Sequence, residues 1–335
     1  MGLHGLDGDA LVSQIDVNAV ARRIIANVEQ VIVGKRPQVI LSLVSWFCEG
    51  HILLEDVPGV AKTILARTLA RSVGCEFKRI QCTPDLLPTD VTGTSIFNQK
   101  TNEFEFRPGP IFSQLVLADE INRATPRTQA ALLEAMAESR VTVDGVTHRL
   151  ERPFLVIATQ NPVDHEGTFP LPEAQLDRFL VRFSLGYPTM DQELDMLDRL
   201  QFGHPIDAVE PVVSADEIIA CQEAVRAVHV DPKVRRYLMQ IVHDTRQHED
   251  LALGGSPRAS IALFRTSQAM AAMRGRNYVL PDDVKRIAPP VLTHRLILKP
   301  EARLRKVQPE SIVEEIVAEI AVPTIEAPAT ASASE

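Results

Sequence analysis

The 335 residues are 45% hydrophobic and 24% charged, a balance that excludes wholesale disorder, and the length exceeds one ordinary hydrophobic core and predicts two packed domains. The net charge is −9, but six acidic residues and no Lys or Arg lie from Val307 onward, which leaves 38 acidic against 35 basic residues in a nearly neutral body. Neither part has the basic surplus needed to hold a nucleic-acid backbone by charge alone.

Residues 1–10 show no basic-then-apolar leader, and no apolar run reaches membrane-spanning length, so a cytoplasmic protein without membrane insertion is expected. Cys48, Cys75, Cys82 and Cys221 form no CxxC pair and read as reduced thiols. His243 and His248 are five apart and do not share a helix face, so no zinc site is expected from them. Short apolar runs at 52–55, 77–81, 115–118 and 154–159 predict buried strands alternating with helices. That alternation predicts an α/β fold with a mostly parallel sheet covered on both faces.

Two alternating segments interrupt the pattern. Residues 94–106 read as a hairpin turning near Lys100, Thr101 and Asn102, and residues 140–150 as another turning at Asp144 and Gly145. Their charges balance, and Phe97, Phe104 and Phe106 at period two are expected to be buried support. After Pro188 strand signals vanish, and helix starts recur at Thr189 with Gln192, Ser214 with Glu217, and Asp231 before Pro232. The expected division is an N-terminal helical segment (1–30), an α/β domain (31–187), an all-helical domain (188–320) and a disordered tail (321–335). Ile312, Val313, Ile316, Val317 and Ile320 form one stripe, with Glu310, Glu314, Glu315 and Glu319 largely opposite. Such a helix either packs on its own domain or docks a neighbour.

The run at 52–55 ends in Asp56, Val57, Pro58, Gly59, Val60, Ala61, Lys62 and Thr63 and enters a helical pattern. Strand, tight loop, Lys-Thr and helix is the context of a phosphate-binding loop: helix-terminal N–H groups face phosphate oxygens, Lys62 reaches the outer phosphates, and the Thr63 hydroxyl ligates Mg²⁺. Asp56 replaces the first glycine of the usual pattern and Ala61 the last. Ala61 serves if its φ is negative, whereas Asp56 is expected to bring a carboxylate close to the polyphosphate. The run at 115–118 ends in Asp119 and Glu120, adjacent carboxylates where open α/β sheets bind ligands. Diverging side chains allow Asp119 to serve Mg²⁺ and Glu120 an attacking water. The run at 154–159 leads to Gln160, Asn161 and Pro162, where an amide can orient water, although Asn-Pro is also ordinary turn chemistry. Ser256 and Pro257 start a helix that places Arg258 in its first turn, a position suited to reaching phosphate.

These stretches resemble the AAA+ ATPases, and more narrowly the MoxR family. The likeness is carried by LLEDVPGVAKT, the segment 85–93, RPGPIFSQLVLADEINRATPRTQAALLEAM, PFLVIATQNP and EGTFPLPEAQLDRF, with GGSPRAS and VLTHRL further on. It implies a nucleotide-binding core with two hairpin inserts and a helical lid, ATP and Mg²⁺ as cofactors, and Walker A at Lys62 and Thr63. It further implies Walker B at Asp119 and Glu120, sensor 1 at Asn161, sensor 2 at Arg258, and Arg178 as an arginine finger acting on a neighbouring subunit. A finger supplied in trans requires an oligomer, and the resemblance implies a ring, expected to be a hexamer. The expected function is ATP hydrolysis coupled to remodelling or activating a protein client, commonly one with a von Willebrand factor A domain. A nucleic-acid translocase and a weakly hydrolysing, nucleotide-gated scaffold are the alternatives; neutral hairpins count against the translocase.

Overall fold

A computed structural model describes residues 15–162, 167–201 and 203–324. Most of the expected tail lies outside the described residues. Backbone contacts gather residues 19–222 into one compact unit, and residues from 223 onward, with the short stretch before 19, into another. The division falls inside a helix, between Gln222 and Glu223, downstream of the 187/188 boundary expected from loss of strand signal.

In the first unit, helices α1 (Val17–Glu29) and α2 (Arg36–Phe47) lead into β1 (Ile52–Glu55) and α3 (Lys62–Val73). Then come β2 (Phe77–Gln81), α4 (Pro88–Thr92), the hairpin β3 (Gly93–Asn98) and β4 (Glu103–Pro108), and β5 (Leu115–Asp119). Helix α5 (Pro126–Glu138) precedes the hairpin β6 (Arg140–Val143) and β7 (Val146–Arg149). Strand β8 (Leu155–Gln160), α6 (Glu173–Leu176), β9 (Val181–Phe183), α7 (Met190–Leu200) and α8 (Ala215–Arg226) complete the order.

The five core strands run parallel in the order β2-β5-β8-β1-β9. β5 and β8 are apolar and buried almost throughout, as interior strands covered on both faces must be. β2 carries Lys78, Arg79 and Gln81 because it is an edge strand with water on one side. The other edge, β9, has only three residues with Arg182 at its centre, too short and mixed to announce itself. The register pairs Ala118 with Ala158 and Glu55 with Gln160, which levels the carboxyl ends of β5, β8 and β1. His51 ties this sheet to α5: its Nε2 lies 2.9 Å from the Met136 carbonyl, and its Nδ1 accepts from Val156 N at 3.0 Å.

Both hairpins form as antiparallel pairs, and Asp144 and Gly145 turn the second at φ 51° and 80°. The expectation for the phenylalanines needs correcting. Phe97 is 46% and Phe104 74% exposed, paired edge to face at 5.3 Å near the turn of the hairpin. Phe106, two residues beyond Phe104 along the same strand, shares their face, so it is position along the hairpin, not choice of face, that leaves Phe97 and Phe104 uncovered near the turn. Phe106 is partly covered, stacking on His148 of β7 at 4.1 Å and meeting Phe112 edge-on.

The second unit comprises α9 (Pro232–Thr245), β10 (Leu251–Leu253), α10 (Pro257–Met273), α11 (Pro281–Leu292), β11 (Ile297–Leu298), α12 (Pro300–Leu304) and α13 (Pro309–Glu319). A short antiparallel β10–β11 ladder joins the helices. Fully buried Asp283 accepts from Arg274 at 2.9 Å, from Arg276 at 2.7 and 2.8 Å, and from Leu280 N at 2.9 Å, which satisfies a carboxylate that burial would otherwise forbid. The acidic helix α13 buries Ile312, Val313 and Ile316 against α9 and α11, so its stripe packs on its own unit. No helix among the described residues is long and apolar enough to cross a membrane.

Candidate active site

Levelled strand ends bring three of the predicted segments into one cleft. The loop from Asp56 to Thr63 follows β1, Asp119 and Glu120 end β5, and Asn161 follows β8. Lys62, Asp119 and Asn161 are all buried, at 9%, 8% and 5% exposure. The Lys62 ammonium donates to the carbonyls of Asp56 at 2.8 Å and Val57 at 3.3 Å, inside the turn of its own loop.

Both departures from the usual glycine pattern behave differently from expectation. Asp56 does not point its carboxylate into the loop. Its Oδ2 accepts from the backbone N–H of Leu185, and from that of Gly186 at 3.0 Å. Two amide donors offset the buried charge and pin the β1 exit to the segment after β9. Ala61, by contrast, has φ 63° and ψ 22°, the left-handed conformation rather than a negative φ. A Cβ there costs about 1 kcal/mol relative to glycine, so the loop holds a small local strain at the foot of α3. Gly59, at φ 88°, takes the left-handed region that favours glycine, and nothing crowds the place where a Cβ would stand.

At the end of β5 the two carboxylates are held separately. Asp119 Oδ1 accepts from Thr159 Oγ1 at 2.6 Å, and its Oδ2 accepts from Arg79 Nε at 3.1 Å and Nη2 at 2.6 Å. Glu120 adopts φ 58° and ψ 51°, and its N–H donates to the same Thr159 hydroxyl at 2.8 Å. This left-handed residue turns the Glu120 side chain away from Asp119, a strained conformation of the kind that gathers at functional sites. Its Oε2 accepts from Gln81 Nε2 at 3.2 Å and Arg123 Nη1 at 3.3 Å. Thr159, Arg79, Gln81 and Arg123 were not singled out by sequence. The one signal for Arg79 and Gln81 is a polar strand in an otherwise apolar series.

Beside the loop, a mainly apolar recess of about 760 Å³, counting its open mouth, is lined by Val31, Ile32, Val60, Leu185, Met196 and Leu200. Arg199 builds one wall: it pairs with Asp195 at 2.7 Å and donates to the carbonyls of Glu29 and Gln30, both at 2.9 Å. Its shape and chemistry suit a flat heterocyclic base next to a phosphate cradle. An ammonium, a hydroxyl, two carboxylates and an amide in one cleft fit a nucleotide with a divalent cation: Lys62 for phosphate, Thr63 and Asp119 for Mg²⁺.

Arg178 donates to the Leu133 carbonyl at 3.1 Å and borders a polar recess with Glu134, Glu138, Arg140, Thr142 and Thr147, none of them from the phosphate loop. Arg258 belongs to the second compact unit, where its backbone N–H donates to the Ser256 hydroxyl at 3.1 Å in the first turn of α10.

Residues 51–181 match the family described as "ATPase family associated with various cellular activities (AAA)", and residues 243–316 match the AAA lid domain. The chain is 53% identical to YeaC of Bacillus subtilis, over 92% of this chain and 97% of that protein. It is 41% identical to the protein named Chaperone MoxR1 of Mycobacterium tuberculosis, over 91% of this chain and 83% of the relative. A crystal structure described as that of a candidate ATPase from Cytophaga hutchinsonii superposes with a TM-score of 0.86 at 38% identity, covering 94% of this chain and 98% of the other.

Proposed function

This chain belongs to the MoxR family of AAA+ ATPases, and we propose that it binds ATP with Mg²⁺, hydrolyses it, and uses the cycle to remodel or activate a partner protein in the cytoplasm. The observation that carries this reading is the level alignment of β1, β5 and β8, which gathers the phosphate loop, Asp119, Glu120 and Asn161 at one end of the sheet. In this reading Lys62 exchanges its two loop carbonyls for phosphate oxygens, and the amides from Val57 to Ala61 cradle them. Thr63 and Asp119 would hold Mg²⁺, which when bound would draw charge from the phosphates. Glu120 takes the proton of the attacking water, and Asn161 orients that water without adding charge.

Arg178, bordering its own recess away from the phosphate loop, is assigned to the ATP of a neighbouring subunit in a ring, which we take as a hexamer, and Arg258 to the phosphates as a second sensor. The client class we assign is a protein carrying a von Willebrand factor A domain, by family resemblance. Support for a protein client over nucleic acid comes from the charge-balanced hairpins with Phe97 and Phe104 outermost.

The reading is tested by affinity capture from the native cell. Glu120→Gln should keep ATP bound and retain the client, whereas Lys62→Ala should lose both nucleotide and client. DNA that binds the protein in a salt-sensitive way and stimulates its ATPase would overturn the client assignment.

A further inference from the structure

We infer that Arg79 occupies the place at Asp119 that a divalent cation must take over, so that metal loading proceeds by exchange of a guanidinium for the metal. This rests on the proposed nucleotide site and concerns how the chain keeps that site when no metal is bound.

The geometry is specific. Asp119 is 8% exposed, and a carboxylate so deeply placed needs compensation. Its Oδ1 is held by the hydroxyl of Thr159, a residue with no exposed surface. Its Oδ2 accepts two N–H groups of one guanidinium, Arg79 Nη2 at 2.6 Å and Nε at 3.1 Å. A carboxylate oxygen offers about two lone-pair directions. With both taken, Oδ2 has none left for a cation or for a water bound to one. Thr159 cannot supply the vacancy by leaving, because it is enclosed between strands and also receives the Glu120 N–H at 2.8 Å.

Arg79 can leave. It sits on the edge strand β2, its side chain is 47% exposed, and it reaches Asp119 on the neighbouring strand from beside Leu117. Two positive charges on one carboxylate oxygen repel, so cation and guanidinium are alternatives. Arg79 is therefore a positioning residue that acts through Asp119: its guanidinium holds the buried carboxylate in place, and it competes with the metal. This predicts a site that loads metal less tightly than its donor set would allow.

The test uses the full chain, Mn²⁺ as the paramagnetic probe, and a non-hydrolysable ATP analogue, with bound Mn²⁺ read by electron paramagnetic resonance. Arg79→Met and Arg79→Gln should each bind Mn²⁺ about fivefold more tightly than wild type, the order of what a half-exposed, charge-assisted pair contributes. Analogue affinity in EDTA should stay unchanged, a readout that mere loosening of the fold would move. Two variants, with thermal unfolding alongside, guard against misfolding of either. Unchanged or weaker Mn²⁺ binding in the variants, with wild type binding analogue and Mn²⁺ normally, overturns this inference alone. Failure of wild type to bind the analogue at all overturns the nucleotide site and this inference with it.

Discussion

His51 is enclosed between the sheet and α5, and burial drives its pKa down to about 4, with the hydrogen bond to the Met136 carbonyl opposing in part. Its Nδ1 accepts from Val156 N, so the ring is neutral with the proton on Nε2. Unfolded, the same ring titrates near 6.5. Between these values the unfolded chain binds a proton that the native chain does not, so the ring's contribution is complete above pH 6.5 and falls as the pH drops toward 4. Lowering the pH from 7 to 5 should therefore cost wild type about 2 kcal/mol more than His51→Gln, measured by urea unfolding. Equal losses would show that the ring does not stay neutral in the fold. At this scale sequence reasoning was most accurate for identity and least for direction. It found Asp56 and Ala61 as the irregular positions, but it placed the difficulty on Asp56. Which way a carboxylate turns depends on the amides of Leu185 and Gly186, distant in sequence, and a backbone φ cannot be read from an alanine.

Among the elements, the runs 52–55 and 77–81 became β1 and β2 with the same bounds, but only β1 is buried as expected; β2 is an edge strand with Lys78, Arg79 and Gln81 exposed, so the expectation of a buried strand there is corrected. The capping boxes at Thr189 and Ser214 also formed, since cap chemistry is local. Local pattern failed where a segment leaves the core. Period-two phenylalanines mark one face of β3–β4, yet only the fold says which stretch of that face is covered. Phe104 is largely exposed and Phe106 stacks on His148. Phe104→Ala should therefore change unfolding stability by less than about 0.5 kcal/mol, and Phe106→Ala should cost about 1 kcal/mol or more. A larger loss at 104 than at 106 in denaturant titrations would contradict burial that rises from the turn toward the base of the hairpin.

For the whole molecule, the sheet class and the helical second unit were legible, whereas the strand order β2-β5-β8-β1-β9 was not, because periodicity carries no information about neighbours. The same gap hid Arg79, whose role exists only because β2 lies beside β5. On the proposed ring, the group that completes each site comes from the next subunit, so loss of Lys62 and loss of Arg178 fall on different copies. Mixing Lys62→Ala with Arg178→Ala chains should restore part of the turnover that each lacks alone; verified co-assembly without recovery would contradict a finger in trans. The central claim is hydrolysis by Glu120 at a site built from β1, β5 and β8, and steady-state phosphate release measures it directly. Wild type should release phosphate from Mg·ATP, while Glu120→Gln binds ATP equally well and turns over at least about 100-fold more slowly. Equal, near-zero rates with intact ATP binding in both proteins would contradict the claim and leave a nucleotide-gated scaffold in its place.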